Sequence, residues 1–147
     1  MNTFLKYTIA TLWSVLVAPA AMAVDLKPDD KAVVTQGKSI YRSQCAMCHG
    51  RSLRGQARWQ KRRANGKLPA PPHDKNGHTW HHPASMLFKM TKFGPAELIG
   101  SDYKTDMPGF KDILSDAEIV AVLSYIKSTW PEDIRRRHDG MEQRHRR

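Results

Sequence analysis

The hydrophobic positions of this chain follow a helical period most clearly between residues 115 and 130. Apolar residues recur there every three or four positions, at Ile119, Val122, Leu123, Ile126 and Trp130. Ser115 and Glu118 precede this run with the spacing of a capping box, and Pro131 ends it. The pattern therefore predicts an amphipathic helix that ends near Trp130.

Two weaker patterns predict further helices, from Thr35 to Cys45 and from Pro83 to Gly94. The second has an apolar stripe that consists of Met86, Leu87, Met90 and Phe93. Pro83 suits the first helical position, and Gly94 suits the end of a helix. Residues 50–79 are rich in glycine, proline and basic residues without a sustained period, which predicts a long loop. No segment predicts a strand, so we expect a small all-α domain.

The N-terminal residues 1–23 have the layout of a cleaved secretory signal. Lys6 supplies a positive charge, an apolar run follows it, and small residues precede Val24 at the positions that a signal peptidase reads. We therefore expect a periplasmic protein whose mature chain begins at Val24. The alternative is an uncleaved signal that anchors the chain in a membrane.

Length and charge limit what the remaining chain can be. A chain of 147 residues fits one compact domain, which we place at residues 24–131. Residues 132–147 are highly charged and lack an apolar face, which predicts a mobile basic tail. Lys and Arg number 24 against 14 Asp and Glu, so the formal net charge is +10. This charge favours acidic partners, and export excludes nucleic acid as one of them.

The segment Cys45-Ala46-Met47-Cys48-His49 is a C-x-x-C-H motif, the attachment signature of c-type haem. Two thiols at this spacing can form thioethers with the two vinyl groups of one porphyrin, and the adjacent His49 can ligate the iron. A thioredoxin-like redox pair would need a preceding strand, and a zinc site would need a second pair of ligands. The motif therefore predicts one haem c, held by Cys45 and Cys48.

The sixth iron ligand decides between an electron carrier and a ligand-binding haem enzyme or sensor. Met107 stands in a loop before Pro108 and Gly109, turn residues that can hold its thioether toward the ring. Met90 is its main rival, although a position in an apolar helical stripe favours core packing. The other candidates are Met47, Met86 and Met141, which lie inside the attachment segment, in that same stripe and in the charged tail. We therefore expect Met107 to be the ligand.

Two further segments, one rich in histidine and one rich in basic residues, are candidates for binding. The segment 73–82 contains four histidines, which are His73, His78, His81 and His82. One interpretation of them is a second site for copper or zinc in a metal-handling protein. The alternative is a surface loop whose histidines cap a helix or titrate in solvent.

Residues 51–67 contain seven basic residues and no acidic one, which favours a docking surface for acidic redox proteins. The arginines of the tail can contact an anionic membrane surface.

The chain resembles the class I monohaem cytochromes c from about Gly37 to Trp130. The resemblance rests on Gly37 and Tyr41 before CAMCH, the Ala70-Pro71-Pro72 turn, the segment from Met107 to Phe110, and the last predicted helix with its Tyr125. It implies a cytochrome c-like fold of three main helices and long loops wrapped around one covalent haem. In that family the first and last helices cross at the glycine, and Gly37 and Tyr41 match one side of this crossing while Val122 and Tyr125 match the other.

The same resemblance implies roles for two more residues. Pro71 matches the proline whose carbonyl accepts a hydrogen bond from the proximal histidine, which would orient the ring of His49. Trp80 resembles a tryptophan that often meets a haem propionate. The resemblance also implies an electron carrier rather than an enzyme, and we expect a monomer that meets its redox partners transiently.

Overall fold

Residues 24–145 are the part of the chain that the computed structural model describes, and the predicted signal peptide lies outside them. The regular elements in this part are all helical, which confirms the all-α prediction. They are α1 (Lys31–Ile40), a π-helical turn (Tyr41–Cys45), α2 (Ala46–His49), a 3-10 turn (Thr79–His81), α3 (Ala84–Phe93), α4 (Pro95–Ile99), α5 (Asp116–Ser128) and α6 (Glu132–His145). None of these helices is long and apolar enough to cross a bilayer.

The first helix begins earlier than the apolar pattern predicts, because a polar residue caps it. The carboxylate of Asp30 accepts hydrogen bonds from the amides of Ala32 and Val33, at 2.9 and 3.1 Å. These bonds satisfy amides that have no partner within the helix. Helix α1 therefore starts at Lys31 rather than at Thr35.

Helices α1 and α5 cross at Gly37, and this contact organises the core. A Cβ atom on Gly37 would lie 1.9 Å from the carbonyl oxygen of Ala121, so the two backbones are in direct contact. The rings of Tyr41 and Tyr125 pack beside the crossing with their centres 5.5 Å apart. Tyr41 is fully buried, and its hydroxyl donates to the carbonyl of Gly50 at 2.9 Å. The crossing thereby also fixes the end of α2.

The loop that contains Met107 is packed onto the junction between α3 and α4. Helix α3 ends at Gly94, whose φ of +80° is a conformation that favours glycine. A Cβ atom on Gly109 would lie 2.6 Å from the carbonyl oxygen of Phe93. The amide of Phe110 donates to the carbonyl of Lys92 at 2.9 Å. The backbone around Met107 is therefore held against a helix end.

The prediction of a mobile tail without an apolar face is wrong for residues 132–145. They form α6, in which Ile134 and His138 are buried. Lys127 of α5 donates to the carboxylate of Asp139 at 2.5 Å, and Arg135 binds Asp29 at 2.8 Å. The apolar face of α6 includes an uncharged histidine, and for that reason a pattern of apolar residues alone does not show it.

His138 is the buried group that joins α6 to the domain. Its side chain is fully buried, and its ring centre lies 5.2 Å from that of Trp130. Within residues 24–145 neither ring nitrogen has a partner at hydrogen-bond distance, and Nε2 lies 3.9 Å from a carboxylate oxygen of Glu142. Burial lowers the pKa of His138, and the nearby Lys127 lowers it further. His138 therefore packs as a neutral ring.

Candidate functional site

A cavity of about 930 Å³ lies between α2, α3, α5 and the loops that join them. Its volume is at the upper end of the range of small-molecule and cofactor sites. Most of its walls are apolar, and they include Leu68, Pro69, Leu87, Phe110, Val122, Leu123 and Ile126. Cys45, Cys48 and His49 lie on one part of this wall. The attachment segment thus faces a cavity that can exclude water from a flat apolar group.

The two cysteines are placed by a change of helical geometry. Residues Tyr41–Cys45 form a π-helical turn, and α2 continues from Ala46 to His49. Cys45 is half-buried, Cys48 is exposed, and neither is in a disulfide. Burial raises the pKa of the Cys45 thiol to about 11, and the neighbouring Cys48 raises it further. Until a thioether forms, Cys45 in the folded chain is therefore a neutral thiol at neutral pH.

His49 has the tautomer that metal ligation requires. Its Nδ1 lies 2.8 Å from the carbonyl oxygen of Pro71. A carbonyl oxygen only accepts, so Nδ1 carries the proton and the lone pair remains on Nε2. Burial lowers the pKa of His49, and the bond to Pro71 opposes this effect. The hydrogen bond that the resemblance implied for Pro71 is present.

The Pro71 carbonyl is itself positioned by contacts across the long loop. Gly55 has a φ of +63°, and a Cβ atom on it would lie 2.5 Å from the carbonyl carbon of Pro71. The amide of Gly55 donates to the carbonyl of His49 at 2.8 Å. The amide of Gln56 donates to the carbonyl of Ala70 at 2.8 Å. Residues 55–56 thus join the end of the attachment segment to the proline turn.

Met107 and Met90 both lie on the cavity wall, as does Met86. Of the remaining methionines considered, Met47 is 91% exposed and Met141 lies on α6, away from the cavity. The amide of Met107 donates to the hydroxyl of Thr105 at 3.0 Å. This bond adds to the contacts of Gly109 and Phe110 that hold the loop.

The structure does not bring Trp80 to the cavity. Its indole N–H donates to the carbonyl of Lys75 at 3.3 Å, and its ring contacts that of His81. Trp59 is the tryptophan that lines the cavity, with its ring stacked on His78 at a centre-to-centre distance of 5.1 Å. Trp59 belongs to the basic loop, which has no regular period, so the sequence contained no signal for its position.

Two of the four histidines of segment 73–82 contact each other, since the rings of His78 and His82 meet edge-on with their centres 5.3 Å apart. His78 also stacks on Trp59, while His81 contacts Trp80 and His73 stacks on His49. Within residues 24–145 no group of three or more His, Cys, Asp or Glu side chains is placed to hold a metal ion. The described geometry therefore gives no support to a second metal site in this segment.

These residues fit a covalently attached haem. The cavity is large and apolar enough, two thiols lie on its wall at the C-x-x-C spacing, and the free nitrogen of His49 is available to iron. Met107 and Met90 supply thioethers from other parts of the wall. The arrangement can thus hold an iron porphyrin away from water and ligate it with nitrogen and sulfur.

Comparisons with known proteins agree with this reading of the site. The family model for Cytochrome c matches residues 34–130, which is more than half of the chain. A search of curated proteins and a search of solved structures each found no match. The matched range includes the attachment segment, Pro71, Met107 and α5, which confirms the resemblance to class I c-type cytochromes. The chain therefore belongs to the cytochrome c family, and it is a haem-binding electron-transfer protein whose Cys45 and Cys48 hold the haem covalently.

Proposed function

We propose that the protein is an exported one-electron carrier in which His49 and Met107 would be the protein ligands of the haem iron. The observation that carries this proposal is that both side chains line one and the same apolar cavity. Bound haem supplies a one-electron iron couple. The chain contributes a fixed nitrogen ligand, a soft sulfur ligand that raises the reduction potential, and walls that exclude water. These contributions suit a carrier rather than a catalyst.

The support for Met107 over Met90 comes from how each residue is held. Met107 lies in a loop whose backbone is fixed by Thr105 and by the contact of Gly109 with Phe93. The side chain of a residue on such a loop is held in place by the loop backbone and is not needed for packing between helices. Met90 lies on α3, among residues that pack on α5, where a thioether commonly fills space in a core. We therefore assign the ligand to Met107.

Replacing Met107 with alanine tests this assignment. We expect the ferrous Met107→Ala protein to bind carbon monoxide, because the sixth position is then open. The reduction potential should fall by on the order of 100 mV as the soft ligand is lost. Visible spectroscopy under carbon monoxide and a redox titration measure the two effects.

Met90→Ala and Met86→Ala are the matched controls, because both residues also line the cavity. Each should lower stability without opening the iron to carbon monoxide. If Met90→Ala binds the gas and Met107→Ala does not, the ligand is Met90. If the wild-type ferrous protein binds carbon monoxide readily, the second candidate function, a ligand-binding haem enzyme or sensor, replaces the carrier.

Export is part of the proposal. It is supported by the layout of residues 1–23, in which a charged start, an apolar run and a small-residue end precede Val24. Covalent attachment of haem to a C-x-x-C-H motif also fits a compartment outside the cytoplasm. We therefore place the working protein in the periplasm, with a mature chain that begins at Val24.

We further propose that the basic segment, residues 51–67, is the surface that meets acidic redox proteins. Arg63 lines the cavity, and the guanidinium of Arg62 lies 5.5 Å from the ring centre of Tyr103, which also lines it. Most of the basic side chains of the segment are exposed. Positive charge at the mouth of the cavity would steer a negatively charged partner toward the haem. We propose that the carrier is monomeric and that these encounters are transient.

Small redox reagents test this surface without an identified partner. We expect oxidation of the ferrous protein by anionic hexacyanoferrate to slow as salt rises, because charges act over about 8 Å at physiological ionic strength. Reversing two exposed charges, Arg54→Glu with Lys61→Glu, should lower the low-salt rate by roughly tenfold. Stopped-flow absorbance measures these rates.

The control is the same reversal of charge on α6, Arg137→Glu with Arg144→Glu, since neither residue lines the cavity. It should leave the rate close to that of the wild type. A cationic cobalt complex should show the opposite salt dependence. Equal rates for both double variants would mean that the basic segment does not steer partners.

A further inference from the structure

His73 is in direct ring contact with His49. The centres of the two imidazole rings are 4.0 Å apart, and their planes are inclined by 25°, which is a stacked arrangement. His73 also lines the cavity. The face of the proximal ligand is therefore covered by a second polar ring rather than by an aliphatic side chain.

The ring of His73 is fixed by a chain of two hydrogen bonds. Its Nδ1 lies 2.8 Å from the hydroxyl oxygen of Thr79, and that hydroxyl donates to the carbonyl of Pro72 at 3.3 Å. Because the hydroxyl proton is used on Pro72, the oxygen accepts from Nδ1–H of His73. The tautomer of His73 is thereby set, and its ring cannot rotate without losing the bond to Thr79.

The backbone of His73 is fixed as well. Its amide donates to the carbonyl of Leu53 at 2.7 Å, and its carbonyl accepts from the indole N–H of Trp130 at 2.8 Å. Trp130 itself is buried. These bonds tie the residue to the loop after the attachment segment and to the end of the last core helix.

Two consecutive proline carbonyls thus orient the two stacked rings. Pro71 accepts directly from His49, and Pro72 accepts through Thr79 from His73. Proline restricts the backbone, so the directions of these carbonyls are set by a stiff segment. A side chain that only filled space here would need neither the hydrogen-bonded hydroxyl nor a defined tautomer.

We propose that His73 is a positioning residue for the proximal ligand, which fixes the rotation of the His49 ring and stabilises the oxidised state. The inference rests on the proposed function, in which His49 ligates iron. An imidazole bound to ferric iron carries more positive charge than one bound to ferrous iron. The π face of a neutral ring favours a positive charge placed against it. The stack therefore favours the ferric form over the ferrous form.

The variant His73→Leu tests the proposal on the haem-loaded protein. We expect an upward shift of the reduction potential and a changed pattern of the hyperfine-shifted haem methyl signals in proton NMR of the ferric protein, because that pattern follows the orientation of the axial imidazole. Thr79→Val, which removes the acceptor for His73 and the donor to Pro72 but keeps the imidazole against His49, should change the NMR pattern in the same sense and by less. If His73→Leu yields no folded holoprotein, Thr79→Val tests the proposal in its place.

His81→Leu is the matched control, because His81 belongs to the same segment but lies outside the cavity wall and contacts Trp80 rather than His49. It should leave both readouts at their wild-type values. If the wild-type spectrum shows an axial imidazole and His73→Leu changes neither potential nor methyl pattern, this proposal is wrong while the proposed function stands. A wild-type spectrum without an axial imidazole would overturn the proposed function itself.

Discussion

Replacing both attachment cysteines with serine should leave a protein without covalently bound haem. Cys45 and Cys48 are the two cysteines in the chain, so the double variant can form no thioether. Each single variant can form one thioether, and we expect its yield of coloured holoprotein to fall to a small fraction of the wild-type yield. Acid–acetone extraction followed by a haem stain of a denaturing gel measures covalent attachment.

Met47→Ser is the control for this experiment. Met47 lies between the two cysteines and is 91% exposed, so the change alters the attachment segment without removing a thiol or a core contact. It should give wild-type amounts of covalent haem. Haem that stays on the double cysteine variant after extraction would contradict the attachment through Cys45 and Cys48.

Gly37→Ala should lower the free energy of unfolding of the holoprotein by about 3 kcal/mol, the upper end of what an overpacked core costs. The added methyl group would lie 1.9 Å from the carbonyl oxygen of Ala121 and 2.9 Å from Cβ of Tyr125. The first of these contacts is backbone, so a change of rotamer cannot relieve it, and α1 must move away from α5. Denaturant unfolding followed by circular dichroism measures the loss.

Gly140→Ala is the same substitution in another helix and supplies the comparison. A Cβ atom on Gly140 would meet only the flexible side chain of Arg144, at 3.6 Å. Because alanine favours a helix over glycine by about 1 kcal/mol, this variant should be slightly more stable than the wild type. A Gly37→Ala protein of equal or higher stability would show that α1 and α5 are not in backbone contact.

The sequence predicted those helices whose ends are marked by capping residues or glycines close to them in the chain. The capping box of Ser115 and Glu118 is present at the start of α5, and Gly94 ends α3 as expected. Helix α4 was not predicted, because five residues are too few to show a helical period. Helix α6 was missed because its buried face combines Ile134 with His138, and a histidine is not counted as apolar.

In the candidate site, too, some residues were predicted from short motifs, whereas others are placed by tertiary packing. The C-x-x-C-H spacing and the Met-Pro-Gly turn are local in sequence, and they predicted the attachment segment and proposed Met107 as a ligand without tertiary information. The neighbours of His49 depend on how the long loop folds back through Gly55 and Pro71. Sequence alone gave no reason to prefer Trp59 over Trp80 at the cavity, or to place His73 against His49. These contacts arise from tertiary packing between residues far apart in the chain.

The close crossing of α1 and α5 also bears on the order of events during synthesis. The ribosome delivers Gly37 and the attachment segment long before Ala121, so α1 has no partner for its crossing face while the rest of the chain is made. During that interval Cys45 lacks the burial that raises its pKa in the folded domain. Before α5 packs on α1 the thiol of Cys45 is therefore more reactive, and in the exported chain haem attachment at Cys45 is chemically easier at that stage than after the domain has folded.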